Sequence, residues 1–161
     1  MFNVIKKPYV WIFVSVVYVW LLGLSKLIAT LGPPFVISII AHTKNSFWLS
    51  DFGKAFPFYA QEVANKLGYK YEYVLYSLLA NIFILIPAMV MGFFVLRKKL
   101  WARNTFIGLV LSYIVHLIGI GLLASESILG TLSLNSIILA AILCLLVRKS
   151  TKRVFLSGRS I

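Results

Sequence analysis

The sequence contains few of the residues that most metalloproteins and redox proteins use. It has four acidic residues, two histidines and one cysteine among 161 residues. The lone cysteine, Cys144, cannot form an intramolecular disulfide and has no partner for a Cys-x-x-Cys redox or zinc motif. No metal-ligand spacing occurs among the histidines and acids. The sequence therefore predicts no disulfide framework, no metal and no cofactor.

Acidic residues are also absent from the long apolar stretches. Proton and cation transporters usually carry such an acid inside a span, and an aspartic dyad needs two close carboxylates. No Ser–His–Asp set can be assembled within the apolar stretches, although a hydroxyl near His116 leaves hydrolase chemistry formally open. We therefore predict that the protein is not an enzyme. The four acids are Asp51, Glu62, Glu72 and Glu126.

Apolar residues dominate the composition. They make up 61% of the chain, only 12% of residues are charged, and the mean hydropathy is +0.95. Soluble domains are about 45–50% apolar and about 25% charged, and a small soluble domain could not bury this excess. The net charge of +12 could indicate nucleic-acid binding. The basic residues, however, lie in short runs between apolar stretches, as topology signals do, which predicts a membrane protein without a nucleic-acid partner.

Four apolar stretches are long enough to cross a membrane as α-helices. They cover about residues 9–30, 74–96, 105–124 and 128–147, each near the ~20 residues that ~30 Å of hydrocarbon requires. The Gly32-Pro33-Pro34 triplet is expected to end the first helix, because proline lacks an amide and clashes with the preceding turn. The predicted fold class is an all-α, four-transmembrane-helix bundle that forms a single membrane domain.

Basic residues are distributed unequally between the two sides of this predicted bundle. Eleven lysines and arginines and no acid fall on one side, whereas five lysines and all four acids fall on the other. Cytoplasmic loops are enriched in lysine and arginine. We therefore predict that both termini and the loop after the second span face the cytoplasm, in a bacterial or archaeal plasma membrane. The eleven basic residues are Lys6, Lys7, Arg97, Lys98, Lys99, Arg103, Arg148, Lys149, Lys152, Arg153 and Arg159.

The segment between the first two spans, residues 31–73, is predicted to form a partly helical cap on the outer leaflet. Residues 35–41 are apolar but too short to span. Pro57 is expected to open a short helix over residues 58–67, with Gly68 just after its end. Many aromatic residues surround this helix, and aromatic side chains favour the headgroup level.

Small residues recur along one face of each of the last three predicted spans. In lipid, small side chains let helix backbones approach closely. We interpret them as helix-packing positions. They are Ser77, Ala88 and Gly92 on the second span, Gly108, Ser112 and Gly119 on the third, and Ser133, Ser136 and Ala140 on the fourth.

Four polar side chains, one from each span, are predicted to fall in the outer half of the membrane by counting ~1.5 Å per residue. Polar groups at such depth are costly and often functional. One interpretation is a ligand-binding pocket that opens to the outside beneath the aromatic loop. The other is that the histidine and the two asparagines form interhelical hydrogen bonds while the lysine extends to the surface. The four residues are Lys26, Asn81, His116 and Asn135.

The basic runs at the cytoplasmic side are predicted to contact anionic phospholipids, at about 1 kcal/mol per basic residue near the surface. These runs also serve as topology anchors. The predicted contact residues are Arg97, Lys98, Lys99, Arg103, Arg148, Lys149, Lys152 and Arg153.

Three functional hypotheses follow from the sequence. The leading one is a small non-enzymatic subunit or assembly factor of a larger membrane complex, or a self-associating protein, because association features accompany an absence of catalytic ones. The second is a binder or transporter of a lipid or small anionic molecule in the outer pocket. The third is an immunity-type protein that blocks a pore-forming toxin.

Overall fold

The computed structural model describes residues 8–41, 48–124 and 134–157. These residues form six helices and contain no strand. Four predicted basic or small residues and part of the fourth predicted span lie outside the described residues. They are Lys6, Lys7, Ser133 and Arg159, and residues 128–133 of the span. The helices are α1 (Pro8–Ala41), α2 (Trp48–Leu67), α3 (Tyr71–Leu96), α4 (Leu100–Ala124), α5 (Leu134–Val147) and α6 (Lys149–Ser157).

Three of these helices, α1, α3 and α4, are each long and apolar enough to cross a membrane. A fourth span results if α5 and α6, which are bent by 57° at their junction, are counted together. The described part of the chain is therefore that of an all-helical protein with three or four candidate spans, which indicates a multi-pass membrane protein.

The first helix continues through its paired prolines. Pro33 and Pro34 lie inside α1, so the prediction that the triplet ends this helix is wrong, and residues 35–41 are its continuation. The missing amide of Pro33 leaves the carbonyl of Ala29 without its intrahelical donor. The Tyr59 hydroxyl of α2 donates to that carbonyl at 3.1 Å. A hydrogen bond from a neighbouring helix thus replaces the one that proline removes.

The helix of the cap is longer than predicted. It begins at Trp48 and includes Pro57, which the sequence analysis places at its start. Pro57 frees the carbonyl of Gly53, and both residues lie exposed, so water can satisfy that carbonyl. Gly68 follows the helix as predicted, with φ +69°, and the Tyr69 amide donates to the Ala64 carbonyl at 3.0 Å. This is the Schellman arrangement that glycine favours.

The turn between α3 and α4 is only three residues long, residues 97–99. The Lys99 amide donates to the Phe94 carbonyl at 3.2 Å and the Lys98 amide to the Val95 carbonyl at 2.9 Å. This is again a Schellman arrangement, but Lys98, with φ 57°, occupies the position that glycine usually takes. As a result α4 begins at Leu100, not at 105 as predicted, and Arg103 lies within the helix.

The main core lies between α1, α3, α4, α5 and α6. Its fully buried side chains include Val16, Phe106, Tyr113, Leu139 and Phe155. A second, smaller cluster joins α2 to the start of α3 through Ala60, Ala64 and Val74. We call the end of the bundle that carries α2 the cap end. The opposite end, which carries the turn of residues 97–99 and α6, is the basic end.

Glycine allows α1 and α3 to approach closely. A Cβ atom added to Gly92 would lie 2.9 Å from Val16 Cγ1 and 3.0 Å from Trp20 Nε1. The Trp20 indole nitrogen donates to the Met89 carbonyl of α3 at 2.8 Å. These contacts fix how α1 and α3 meet, and so place Lys26 of α1 beside the first half of α3.

Candidate functional site

A cavity of about 250 Å³ lies at the cap end, between α1, α2, α3 and α4. Its wall combines one cation, several hydroxyl groups, one amide and an apolar surface. Ligand pockets commonly have this character, with a few polar groups in a mainly apolar lining. The lining residues are Lys26, Ala29, Thr30, Tyr59, Val63, Leu67, Tyr69, Tyr73, Val74, Ser77, Leu78, Asn81 and Ile120.

Lys26 is the charged group of the cavity wall. Its side chain is half-buried, and it makes no hydrogen bond or ion pair with the residues in the described ranges. None of the described lining residues is acidic. A second cation stands at the edge, where Lys70 Nζ lies 5.9 Å from the ring centroid of Tyr73. No acid among the described lining residues therefore compensates the positive charge of the cavity.

Asn81 forms the floor of the cavity and is 8% exposed. Its amide nitrogen donates to Thr30 Oγ1 at 3.1 Å, and its amide oxygen accepts from the Tyr113 hydroxyl at 2.9 Å. This chain of hydrogen bonds joins α1, α3 and α4. Because these bonds engage both ends of the amide, Asn81 shapes the floor and leaves Lys26 as the main group for a ligand.

A π-helical turn, Asn81–Leu85, carries this asparagine within α3. Pro87 follows two residues later, and in a regular helix its ring would press on the carbonyl of Phe83. The wider π turn relieves that clash, and such turns are frequent at functional sites. The turn thus sets the position of Asn81 at the α1–α4 contact.

Tyr59 forms part of the roof of the cavity. Its hydroxyl is held by the Ala29 carbonyl that Pro33 leaves free. Tyr69 and Tyr73 complete the aromatic lining at the junction of α2 and α3. The sequence predicts aromatic residues in the cap but does not indicate which of them line a cavity. A lysine and a threonine spaced four residues apart in α1, Lys26 and Thr30, would have been the available signal.

His116 and Asn135 are not among the lining residues of this cavity, so the structure does not bring together all four residues of the pocket interpretation. His116 is one turn from Ile120, farther from the cap end. Its ring is stacked on Tyr113 with centroids 6.2 Å apart, and Nε2 is buried without a hydrogen-bond partner among the described residues. Asn135 accepts from the Tyr18 hydroxyl at 2.9 Å. Depth along a helix does not define the direction of a side chain, so only Lys26 and Asn81 meet.

Some of the predicted helix-packing positions are buried between helices, whereas others are exposed. Ala88, Gly92 and Ser136 are buried, and Ser77 is half-buried at the cavity. Gly108, Ser112 and Ala140, in contrast, are exposed, and a Cβ atom added at Gly108 or Gly119 would meet no described atom within 4 Å. The small-residue stripe of α4 therefore does not pack against the described helices.

Seven of the eight basic residues predicted to contact lipid are exposed. Arg103 is the exception, with 5% exposure. Its Nε and Nη2 atoms donate to the Leu146 carbonyl at 3.1 and 2.6 Å, and Nη1 donates to Asn104 Oδ1 at 3.0 Å. The last carbonyls of a helix lack intrahelical donors, and Arg103 satisfies one at the end of α5. A buried capping role thus replaces the predicted lipid contact.

Comparison with protein-family models, curated proteins and solved structures finds no match to this chain. Among the described residues, no group of three or more His, Cys, Asp or Glu side chains is placed to hold a metal ion.

Proposed function

We propose that this chain is a small non-enzymatic membrane protein that binds an amphiphilic molecule with one anionic group in the cavity at the cap end. The observation that carries the proposal is Lys26, a half-buried cation without a partner among the described residues, in a wall that has no described acid. An ionisable group within a membrane span is costly and usually serves a site. An anionic ligand would supply the missing countercharge.

The rest of the lining supports an amphiphile over a simple ion. The wall also includes Val63, Leu67, Val74 and Ile120, which favour an apolar body. The hydroxyls of Tyr69, Tyr73 and Ser77 offer hydrogen bonds to the oxygens of a headgroup. The chemical class is therefore a lipid or a small organic anion.

We further propose four spans with both termini in the cytoplasm, so that the cap end faces outward. The support is the charge distribution: all seven exposed predicted lipid-contact cations lie at the basic end, whereas the described acids lie in α2 and the first turn of α3. Protease protection of tags at the two termini, measured in sealed right-side-out vesicles, should show both tags protected. One accessible and one protected tag would disprove this topology.

Native mass spectrometry after gentle purification tests the ligand proposal. The wild-type protein is expected to carry a bound small molecule, and Lys26→Gln to lose most of it, because a hydrogen bond to a charged group contributes about 1.5–3 kcal/mol, or about ten- to hundredfold in affinity. Lys66→Gln is the matched control, since Lys66 is exposed on α2 and outside the cavity lining. Equal ligand occupancy in all three proteins would contradict the proposal.

A second candidate function is supported by the stripe of small residues on α4. Gly108 and Ser112 are exposed, although small residues in spans usually mark helix contacts. A second protein chain on this face would make the protein a subunit of a membrane complex or of a homo-oligomer. The same mass spectra separate the two candidates, because a subunit retains the mass of another chain and a ligand binder retains only a small molecule.

A further inference from the structure

A second groove, of about 190 Å³, lies at the basic end, far from the cavity that contains Lys26. It runs between the start of α1, the end of α3 and α6. Its walls are apolar except for one lysine and one phenol. The lining residues are Tyr9, Ile12, Phe13, Val95, Leu96, Lys98 and Val154.

Lys98 occupies its place in the groove at a conformational cost. Its φ of 57° is the left-handed conformation that glycine adopts freely and that other residues adopt rarely. The Nζ atom lies 5.0 Å from the ring centroid of Tyr9, so the ammonium is held over the start of α1. Residues that break a local rule are often found at functional sites. The left-handed backbone and the contact with Tyr9 therefore make Lys98 a candidate functional residue.

The charges around the groove have one sign. Arg97 and Lys99 flank Lys98 in the chain, and Arg153 precedes the lining residue Val154; all three are exposed. The acids among the described residues, in contrast, belong to α2 and the first turn of α3 at the cap end. An anionic group at the groove would thus meet cations without competition from described carboxylates.

The apolar wall extends away from these cations along the bundle. Phe13 is 56% exposed, and Tyr9 is 52% exposed, so the groove is open on its α1 side. A hydrocarbon chain in the groove would contact Ile12, Phe13 and Leu96. A groove with a cationic end and an apolar length fits a molecule with an anionic head and an acyl chain.

We propose that this groove binds an anionic phospholipid, with its phosphate at the Lys98 ammonium and one acyl chain along Ile12, Phe13 and Leu96. The site is independent of the proposed ligand of the Lys26 cavity, since the two share no lining residue. It differs from diffuse attraction of lipid to a basic surface because one lysine among several dominates the binding.

The test compares two variants that lose the same charge. Lys98→Gly removes the groove lysine and relieves its backbone conformation, whereas Lys99→Ala removes a neighbouring lysine that does not line the groove. In native mass spectra with added phosphatidylglycerol, Lys98→Gly is expected to weaken binding about five- to tenfold. Lys99→Ala is expected to change it less than about twofold, because a rim charge contributes little when it does not contact the ligand. Lys98→Arg, which keeps the charge, should retain most of the binding.

Two further measurements complete the test. Without added lipid, Lys98→Gly should raise the thermal unfolding midpoint, so weaker lipid binding would not result from unfolding. Wild-type protein should favour phosphatidylglycerol over phosphatidylcholine, and inorganic phosphate should not compete, which separates a lipid headgroup from a free anion. Equal losses in Lys98→Gly and Lys99→Ala, equal binding of the two lipids, or competition by phosphate would each overturn the proposal.

Discussion

Replacing Arg103 by methionine is expected to lower the free energy of unfolding by about 2–3 kcal/mol. The guanidinium donates two hydrogen bonds to the carbonyl of Leu146, which lies at the end of α5 and is not available to an intrahelical amide. Methionine has a similar length but no donor, so the carbonyl loses its charged partner. The loss should be measured by chemical or thermal unfolding in detergent micelles, followed by circular dichroism.

Arg148→Met is the matched control for this substitution. Arg148 also carries a positive charge at the basic end, but its side chain is exposed and makes no hydrogen bond to the described residues. Its loss should change the free energy of unfolding by less than about 0.5 kcal/mol. Arg103→Lys should recover only part of the stability, because an ammonium does not reproduce the fork of the guanidinium. Equal effects of Arg103→Met and Arg148→Met would show that the contact to Leu146 contributes nothing.

Adding a single methyl group at Gly92 is expected to destabilise the bundle, although alanine is normally the better helix former by about 1 kcal/mol. The new Cβ would lie 2.9 Å from Val16 Cγ1 and 3.0 Å from Trp20 Nε1. Val16 is fully buried with a stiff β-branched side chain, and the Trp20 indole is held by the Met89 carbonyl. Neither group can move away easily.

The expected loss is about 1 kcal/mol for Gly92→Ala and about 3 kcal/mol for Gly92→Leu, in the range measured for overpacked cores. Gly108→Ala should have the opposite sign and stabilise the protein, since a Cβ atom there meets no described atom within 4 Å. Unfolding midpoints of the three variants, measured in the same detergent, give both the size and the sign. Stabilisation by Gly92→Ala would contradict the packing of α1 against α3.

The long helices were predictable because their signal is local: apolar length and the absence of charge are visible in the sequence. The continuation of α1 was not, because the group that replaces the lost amide of Pro33 is the hydroxyl of Tyr59, far along the chain. The position of Arg103 inside α4 was not predictable for a similar reason. Its partner, Leu146, is distant in the sequence and comes beside it only in the folded chain. The sequence alone therefore predicts the usual role of a basic residue next to a span, which is contact with anionic lipid.

The candidate site was predictable in part. Counting residues along helices predicts Lys26 and Asn81 in the outer half of the membrane, and both line the cavity. The same count grouped them with His116 and Asn135, which point to other neighbours, because depth fixes height along the membrane normal but not the angle around each helix. Gly92 and Gly108 show the same limit. Both belong to small-residue stripes, but only Gly92 contacts another described helix closely.

The hydrogen bond between Tyr59 and Ala29 has a consequence for how a molecule reaches the cavity. It joins Tyr59, in the roof of the cavity, to the part of α1 in which two successive prolines, Pro33 and Pro34, remove backbone hydrogen bonds. If an entering molecule separates the two groups, a bare carbonyl remains at the point where α1 resists bending least. If the proposed ligand enters in this way, its admission would be thermodynamically coupled to bending of the first helix, so that each would favour the other.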